Sequence, residues 1–187
     1  MIPGNKDTNR YTKTGLSIAV ATLIAMGATT NALYHEFLSE KEGFVTYAYL
    51  DSANIWTICS GLTKIYGRKV TSKDSLSVEE CTRLDMIEQE KGLAEMETLV
   101  VPEVWNKMSP AAKAGTASFC VHNIGATKCK KSTFLKLLNQ DKKNEACAQI
   151  TNWIRDGGRD CRIRKNGCFG QIDRRLQEDE LCLKGWE

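Results

Sequence analysis

Residues 42–61 read Glu42-Gly43-Phe44-Val45-Thr46-Tyr47-Ala48-Tyr49-Leu50-Asp51-Ser52-Ala53-Asn54-Ile55-Trp56-Thr57-Ile58-Cys59-Ser60-Gly61. The stretch opens where a helical pattern stops. Leu33, Phe37 and Leu38 share one helix face, Glu42 closes the segment Ala32–Glu42, and Gly43 is a natural C-terminal stop. Residues 44–66 are rich in Tyr, Thr, Ile and Trp around the polar turn Asp51-Ser52-Ala53-Asn54, the pattern of a small β-hairpin or meander. The spacing Glu-x8-Asp-x5-Thr therefore sets one carboxyl at a helix end, one on a hairpin and a hydroxyl close to the second. Cleaving a glycosidic bond needs that equipment: a proton for the leaving oxygen, and a second carboxylate for the water or the developing cation.

Downstream the chain turns helical. Ser77-x-x-Glu80 is a capping box for a helix running to about Leu99. Ser109-Pro110 places an N-cap before proline at the first helical position and opens a helix through Val121, with Gly125 ending the segment. Ser132 caps Thr133–Asn139, Lys143–Ile154 is closed by Gly157-Gly158, and the last helix covers Gln171–Lys184. One small sheet followed by helices is an α+β arrangement. No internal repeat or low-complexity linker interrupts it, and 187 residues suit one domain with a short extension.

That extension lies before residue 35. Lys6, Arg10 and Lys13 face a single Asp7, and residues 14–34 carry no formal charge. Twenty-one helical residues reach about 31 Å, close to the roughly 30 Å of a bilayer core. Positive charge ahead of such a segment predicts a cytoplasmic N-terminus and an exported body. A cleaved signal peptide, a permanent anchor, a releasable anchor and a buried helix of the domain all fit the length. Ala, Gly, Thr, Ser and Asn dilute the aliphatic residues, which favours a releasable anchor over a permanent one.

Eight cysteines, no Cys-x-x-Cys and two histidines point to disulfides formed in an oxidising compartment rather than to a metal site. The residues alone leave 105 pairings open. Net charge is only +3, with cations gathered near the C-terminus, including Arg155, Arg159, Arg174 and Arg175. A mild basic surface suits an acidic polymer such as cell wall, or is simply a solvated face. At the pair itself, Phe44, Tyr47 and Tyr49 suggest an apolar setting in which Glu42 keeps its proton, while Asp51 in its polar turn stays ionised; two carboxyls in different environments separate acid from base. Each residue alone also suits an ordinary helix end or turn.

The residues in order resemble the T4-type phage lysozymes, glycoside hydrolase family 24, and within them the signal-anchor-release endolysins of lambdoid phages and prophages. The resemblance is carried by Glu42-Gly43, Tyr49, Asp51, Trp56-Thr57-Ile58 and Gly61-x-Thr63, then by Cys81, Ser118-Phe119, Asn123-Ile124-Gly125, Ser132-Thr133-Phe134-Leu135, Cys147 with Trp153, Gly157-Gly158, and the run from Gly170 through Arg174-Arg175, Glu178 and Leu181-Cys182-Leu183 to Gly185. It covers roughly residues 33–186. It implies a two-lobed fold, with a small β-hairpin lobe and a helical lobe joined by a long helix near 78–99, behind an N-terminal hydrophobic helix; residues 1–34 form the anchor segment and 35–187 the muramidase domain.

The implied activity is hydrolysis of the β-1,4 bond between N-acetylmuramic acid and N-acetylglucosamine in peptidoglycan, with inversion and host lysis as the outcome. Glu42 is the implied general acid, Asp51 and Thr57 hold and activate the water, and Asn123 and Gly61 bind substrate. No metal or cofactor is implied. The implied partners are peptidoglycan, the host inner membrane through residues 14–34 and the secretion machinery, with no nucleic acid and a monomeric chain that is tethered on the periplasmic side and then freed into the periplasm. The disulfides expected with it are Cys147–Cys182, Cys161–Cys168 and Cys120–Cys129, leaving Cys59 with Cys81.

Departures from the family are Cys59, where many relatives have Gly, and Leu62, where many have His. Residues 14–34 hold no cysteine, so an anchor thiol that traps an active-site cysteine is excluded. A lytic transglycosylase needs one carboxylic acid only, and Asp51 with Thr57 argues against it. A non-catalytic wall-binding protein is disfavoured by the intact Glu42, Asp51 and Thr57.

Overall fold

The computed structural model describes residues 15–51 and 54–186. The cations at 6, 10 and 13 and the turn residues 52 and 53 lie outside them. Nine α-helices and three two-stranded antiparallel sheets are present among the described residues. Helices α1 (Ile18–Ala25) and α2 (Thr30–Ser39) lead into strands β1 (Val45–Leu50) and β2 (Trp56–Cys59), then β3 (Lys64–Ile65) and β4 (Arg68–Lys69). Helix α3 (Val78–Leu99) comes next, then α4 (Pro102–Trp105), α5 (Pro110–Ala117), α6 (Ala126–Cys129), α7 (Thr133–Leu138) and α8 (Lys143–Ile150). A short pair, β5 (Arg155–Asp156) and β6 (Arg159–Asp160), precedes α9 (Gly170–Leu183).

The caps act where the sequence places them. Ser77 and Glu80 close a reciprocal capping box on α3, Ser109 caps α5 with Pro110 in its first turn, and Ser132 caps α7. Four expectations are corrected. Helix α2 stops at Ser39 rather than Glu42: the amides of Lys41 and Glu42 both donate to the Leu38 carbonyl, winding the end into a turn. Helix α5 passes into a π-helical stretch, Ser118–Asn123, instead of continuing regularly to Val121. Helix α8 ends at Ile150, because the chain must turn into the β5–β6 hairpin, where Gly157 and Gly158 both take positive φ.

The fourth correction concerns the single helix expected over 14–34. Its described part is two helices, parted at Gly27 (φ +70°), with Thr29 capping α2 through the amide of Ala32. No helix among the described residues is long and apolar enough to cross a membrane. Helix α1 instead packs on the body. Val20 is fully buried in the main core, with Leu16, Leu23 and Ile24 against it. Gln177 of α9 donates to the Gly15 carbonyl (3.1 Å), and the Ser17 hydroxyl donates to Glu40. Ile18 and Met26 face outward.

Buried side chains form two clusters. The larger gathers α1, α2, the C-terminal half of α3 and the helices after it, around Tyr34, Phe37, Met96, Phe119 and Phe134. The smaller holds Ile58, Cys59, Ile65, Val70 and Cys81. Helix α3 spans both, giving Cys81 to the small cluster and Leu93 and Met96 to the large one.

Disulfides join Cys59–Cys81, Cys120–Cys129, Cys147–Cys182 and Cys161–Cys168, and consume all eight cysteines. Cys59 sits at φ +57°, a conformation that favours glycine, and its bridge ties the hairpin to α3.

Helices α5 and α9 touch at Gly115. A Cβ there would lie 2.5 Å from Leu181 Cβ and 3.1 Å from both the Cys182 amide nitrogen and the Glu178 carbonyl oxygen. Backbone cannot give way as a side-chain tip can, so Gly115→Ala must push the two helices apart. The expected cost is about 1–3 kcal/mol, read as a lower urea midpoint; an unchanged midpoint would show that the helices have slack.

Candidate active site

The turn after α2 delivers Glu42 to residues far away in sequence. Glu42 Oε1 accepts from Arg174 Nη1 of α9 at 2.8 Å and lies 3.0 Å from His122 Nε2 of the π-helical stretch. Arg174 is itself oriented from behind. Its Nε donates to Glu178 Oε1 (3.2 Å), which also accepts from the Ser118 hydroxyl (2.7 Å), while Arg175 donates to Glu178 Oε2. Glu178 has no exposed side-chain surface, and Arg174 and Arg175 are nearly as buried. Burial of this order demands paired charges, and here one carboxylate serves two guanidiniums.

The apolar setting expected for Glu42 is not what forms. Phe44 and Tyr47 turn to solvent; the close neighbours are a cation and an imidazole. Burial raises the carboxyl's pKa, but the His122 hydrogen bond and the charge and hydrogen bond of Arg174 outweigh it, and the group is pulled down to about 2. Neither His122 nor Arg174 is singled out as a site residue by local sequence. Arg174 appears only within a cationic cluster and in the family resemblance. A signal did exist in the i, i+4 pair Arg174–Glu178, an ion pair on one helix face.

Asp51 lies just past β1, in the turn that closes the hairpin. Its carboxylate Oδ1 accepts from the Ile55 amide at 2.9 Å, and its own amide donates to the Ile55 carbonyl at 3.0 Å. The same carbonyl accepts from the Thr57 hydroxyl at 2.9 Å. Thr57 is almost wholly buried and pairs with Tyr49 across the ladder. Asp51 and Thr57 thus converge on one turn of the hairpin, whereas Glu42 is fixed by the helical part of the chain.

A cavity of about 480 Å³ opens beside His122. Its walls include Gly61, Leu62 and Thr63 after β2, Tyr34 of α2, and Gly92 of α3. Gly61 has φ +103°, which suits glycine, and leaves its position open. Asn123 is placed elsewhere. It lines a smaller polar cavity of about 150 Å³ with Lys128, Trp153 and Arg155, and its Oδ1 accepts from Arg175. Gly61 and Asn123 therefore do not share one pocket.

A family profile described as Phage lysozyme matches residues 39–178. The chain is 47% identical over 178 residues to a SAR-endolysin of Escherichia phage 933W, covering 95% of this chain and 98% of that protein. It is likewise 47% identical over 180 residues to a probable prophage lysozyme of Escherichia coli K12, covering 96% and 99%. Among solved structures, a mutant P22 lysozyme superimposes with a TM-score of 0.65 at 27% identity, covering 81% of this chain and 95% of the other. A phage-lysozyme profile spanning most of the chain, relatives at near-half identity over nearly full length and the shared fold together place this chain in the phage lysozyme family, as a glycoside hydrolase of the lysozyme type.

Proposed function

We propose that the chain is an exported muramidase that hydrolyses the β-1,4 bond between N-acetylmuramic acid and N-acetylglucosamine and so lyses the host. Glu42 is the general acid. Asp51, steadied by the Ile55 amide, takes the proton of a water that Thr57 helps to place, and attack on the opposite face of the sugar inverts the anomeric centre. Inverting pairs leave roughly 6.5–9.5 Å between carboxyls for that water. The cleft lies between a hairpin lobe and a helical lobe joined by α3. The observation that carries this reading is Glu42 held by Arg174 and by His122, and His122 lines the cavity together with Gly61 and Thr63. Gly61 borders the sugar chain there; Asn123 contacts it from a separate polar cavity.

Residues 1–34 act as the signal-anchor-release segment. They engage the secretion machinery, hold the body on the periplasmic face of the inner membrane, and then leave as a monomeric, unanchored protein. Support comes from weak apolarity, from four disulfides that need an oxidising compartment, and from the docked α1, whose buried Val20 gives the segment a place off the membrane. Intermediate hydrophobicity keeps the cost of leaving lipid small.

The full oxidised chain incubated with purified peptidoglycan should release fragments with reducing N-acetylmuramic ends, seen by mass spectrometry. Anhydro ends, lighter by one water, would replace hydrolysis with transglycosylation. No fragments from folded protein would leave a wall-binding module.

A further inference from the structure

Residues 128–142 hold five lysines, Lys128, Lys130, Lys131, Lys136 and Lys142, against the single acid Asp141. The whole chain has 26 cations and 23 anions, so outside this stretch the formal charges nearly cancel. We infer that these lysines form a docking surface, outside the cleft, for the anionic stem peptides of peptidoglycan, and that it keeps the enzyme on the polymer. The inference rests on peptidoglycan being the substrate.

Folding sorts this stretch into an inside and an outside. Cys129, Phe134, Leu135 and Leu138 are buried in the main core, while all five lysines are exposed. They lie on α6, on the turn after it, on α7 and on the turn before α8. Asp141 is already taken by Lys107. None of the five lysines has an ion pair among the described residues. A merely solvated face mixes its signs, as α3 does where Lys91 pairs with Glu88. Here like charges repel across a screening length of about 10 Å at 0.1 M salt. An acidic polymer laid along them relieves that repulsion and adds attraction of its own.

The surface is also fixed beside the proposed site. The Cys120–Cys129 disulfide ties α6 to the π-helical stretch that carries His122 and Asn123. The Lys131 amide donates to the Lys128 carbonyl at 3.1 Å, and the Ser132 hydroxyl donates to the Cys129 carbonyl at 2.7 Å, which holds the turn between α6 and α7. Lys128 itself lines the polar cavity with Asn123, Arg155 and Arg175. The positive surface therefore starts at a cavity assigned to the substrate and continues over α7. Peptidoglycan carries its free carboxylates on the short peptides that branch from N-acetylmuramic acid, so a strand in the cleft brings those carboxylates alongside. An anionic bilayer would also cover five lysines, but surface helices that bind lipid add apolar side chains to the charge. No large apolar side chain is exposed between 128 and 142 among the described residues.

The test is cosedimentation of the full oxidised chain with purified sacculi, in a Glu42→Gln background that leaves the polymer intact. Lys130→Glu/Lys131→Glu/Lys136→Glu reverses three charges of the surface. Lys69→Glu/Lys73→Glu/Lys165→Glu reverses three exposed lysines elsewhere and matches it in net charge. At about 50 mM salt the first should bind at least about tenfold more weakly than the parent and the second within about threefold; at about 500 mM salt all three should coincide. Sacculi whose carboxylates are capped as amides should no longer distinguish the parent from the first variant. Equal weakening by both variants would reduce the effect to net charge and overturn the inference. So would undiminished binding of the parent to amidated sacculi, or binding to phosphatidylglycerol vesicles and not to sacculi. Glutamine at 130, 131 and 136 serves if the reversed chain does not fold. Reducing ends released by the wild type are measured separately: hydrolysis with binding indifferent to the lysines fells only the docking surface, whereas no hydrolysis by folded protein fells the muramidase reading on which it rests.

Discussion

Glu42→Gln should fold normally and lose roughly 10³-fold in peptidoglycan hydrolysis, within the 10²–10⁴ that a positioned general acid supplies. Folding survives because the amide keeps the size of the side chain and offers an oxygen to Arg174 Nη1, while Arg174 stays paired with Glu178. Glu42 itself is partly exposed, so losing its charge should cost no more than about 1 kcal/mol. The ion pair has a pH signature of its own. The Glu42 pKa is depressed from the ordinary carboxylate value, so its stabilising contribution is complete above about 4.5 and is lost as pH falls towards about 2. In Glu42→Gln that acid-side loss should be smaller. Reducing-end release and a thermal melt, measured on the same preparation, check both halves. Hydrolysis above a tenth of wild type in a folded sample would remove Glu42 from the chemistry.

How far this site could be read from the chain depends on the range of the forces that build it. The local features were legible. Ser77 with Glu80, Ser109 with Pro110, and Ser132 cap their helices as their side chains dictate, because a cap is settled within four residues. Asp51 and Thr57 share a turn for the same reason. Glu42 was legible as a residue but not as an environment. Its sequence neighbours Phe44 and Tyr47 turn outward, and its true partners arrive from 80 and 132 residues away. The break in the N-terminal stretch was not legible for a related reason. Hydropathy measures what a segment gains by leaving water, and burying Val20, Leu23 and Ile24 against the body meets that demand as lipid would. The break at Gly27 and Thr29 then results from a helix that must fold back on a globular surface, where a bilayer would favour an unbroken one.

Glu178→Ala should be the most damaging substitution away from the reacting groups, at about 3–5 kcal/mol. The carboxylate has no exposed side-chain surface and receives Arg174, Arg175 and the Ser118 hydroxyl. Its removal leaves two guanidiniums in the interior. Arg175 keeps only the neutral acceptors Asn123 and Gln171, and Arg174 keeps the partly exposed Glu42. That is a large part of the 5–15 kcal/mol that holds a domain of this kind, and for a chain of this length it corresponds to a melting point lower by about 10 °C. Glu180→Ala on the same helix is the control. It breaks only the 3.6 Å contact with Lys184 at the surface, and should shift stability by less than about 0.5 kcal/mol. The two melts, taken with the disulfides intact, separate burial of charge from loss of charge. A melting point for Glu178→Ala within a degree or two of Glu180→Ala would mean that water reaches the arginines and that the network is not dry. If the prediction holds, Glu178→Ala should also lower hydrolysis in the fraction that remains folded. Arg174 without its rear anchor turns its whole charge on Glu42, which makes the proton that the carboxyl must hold harder to load.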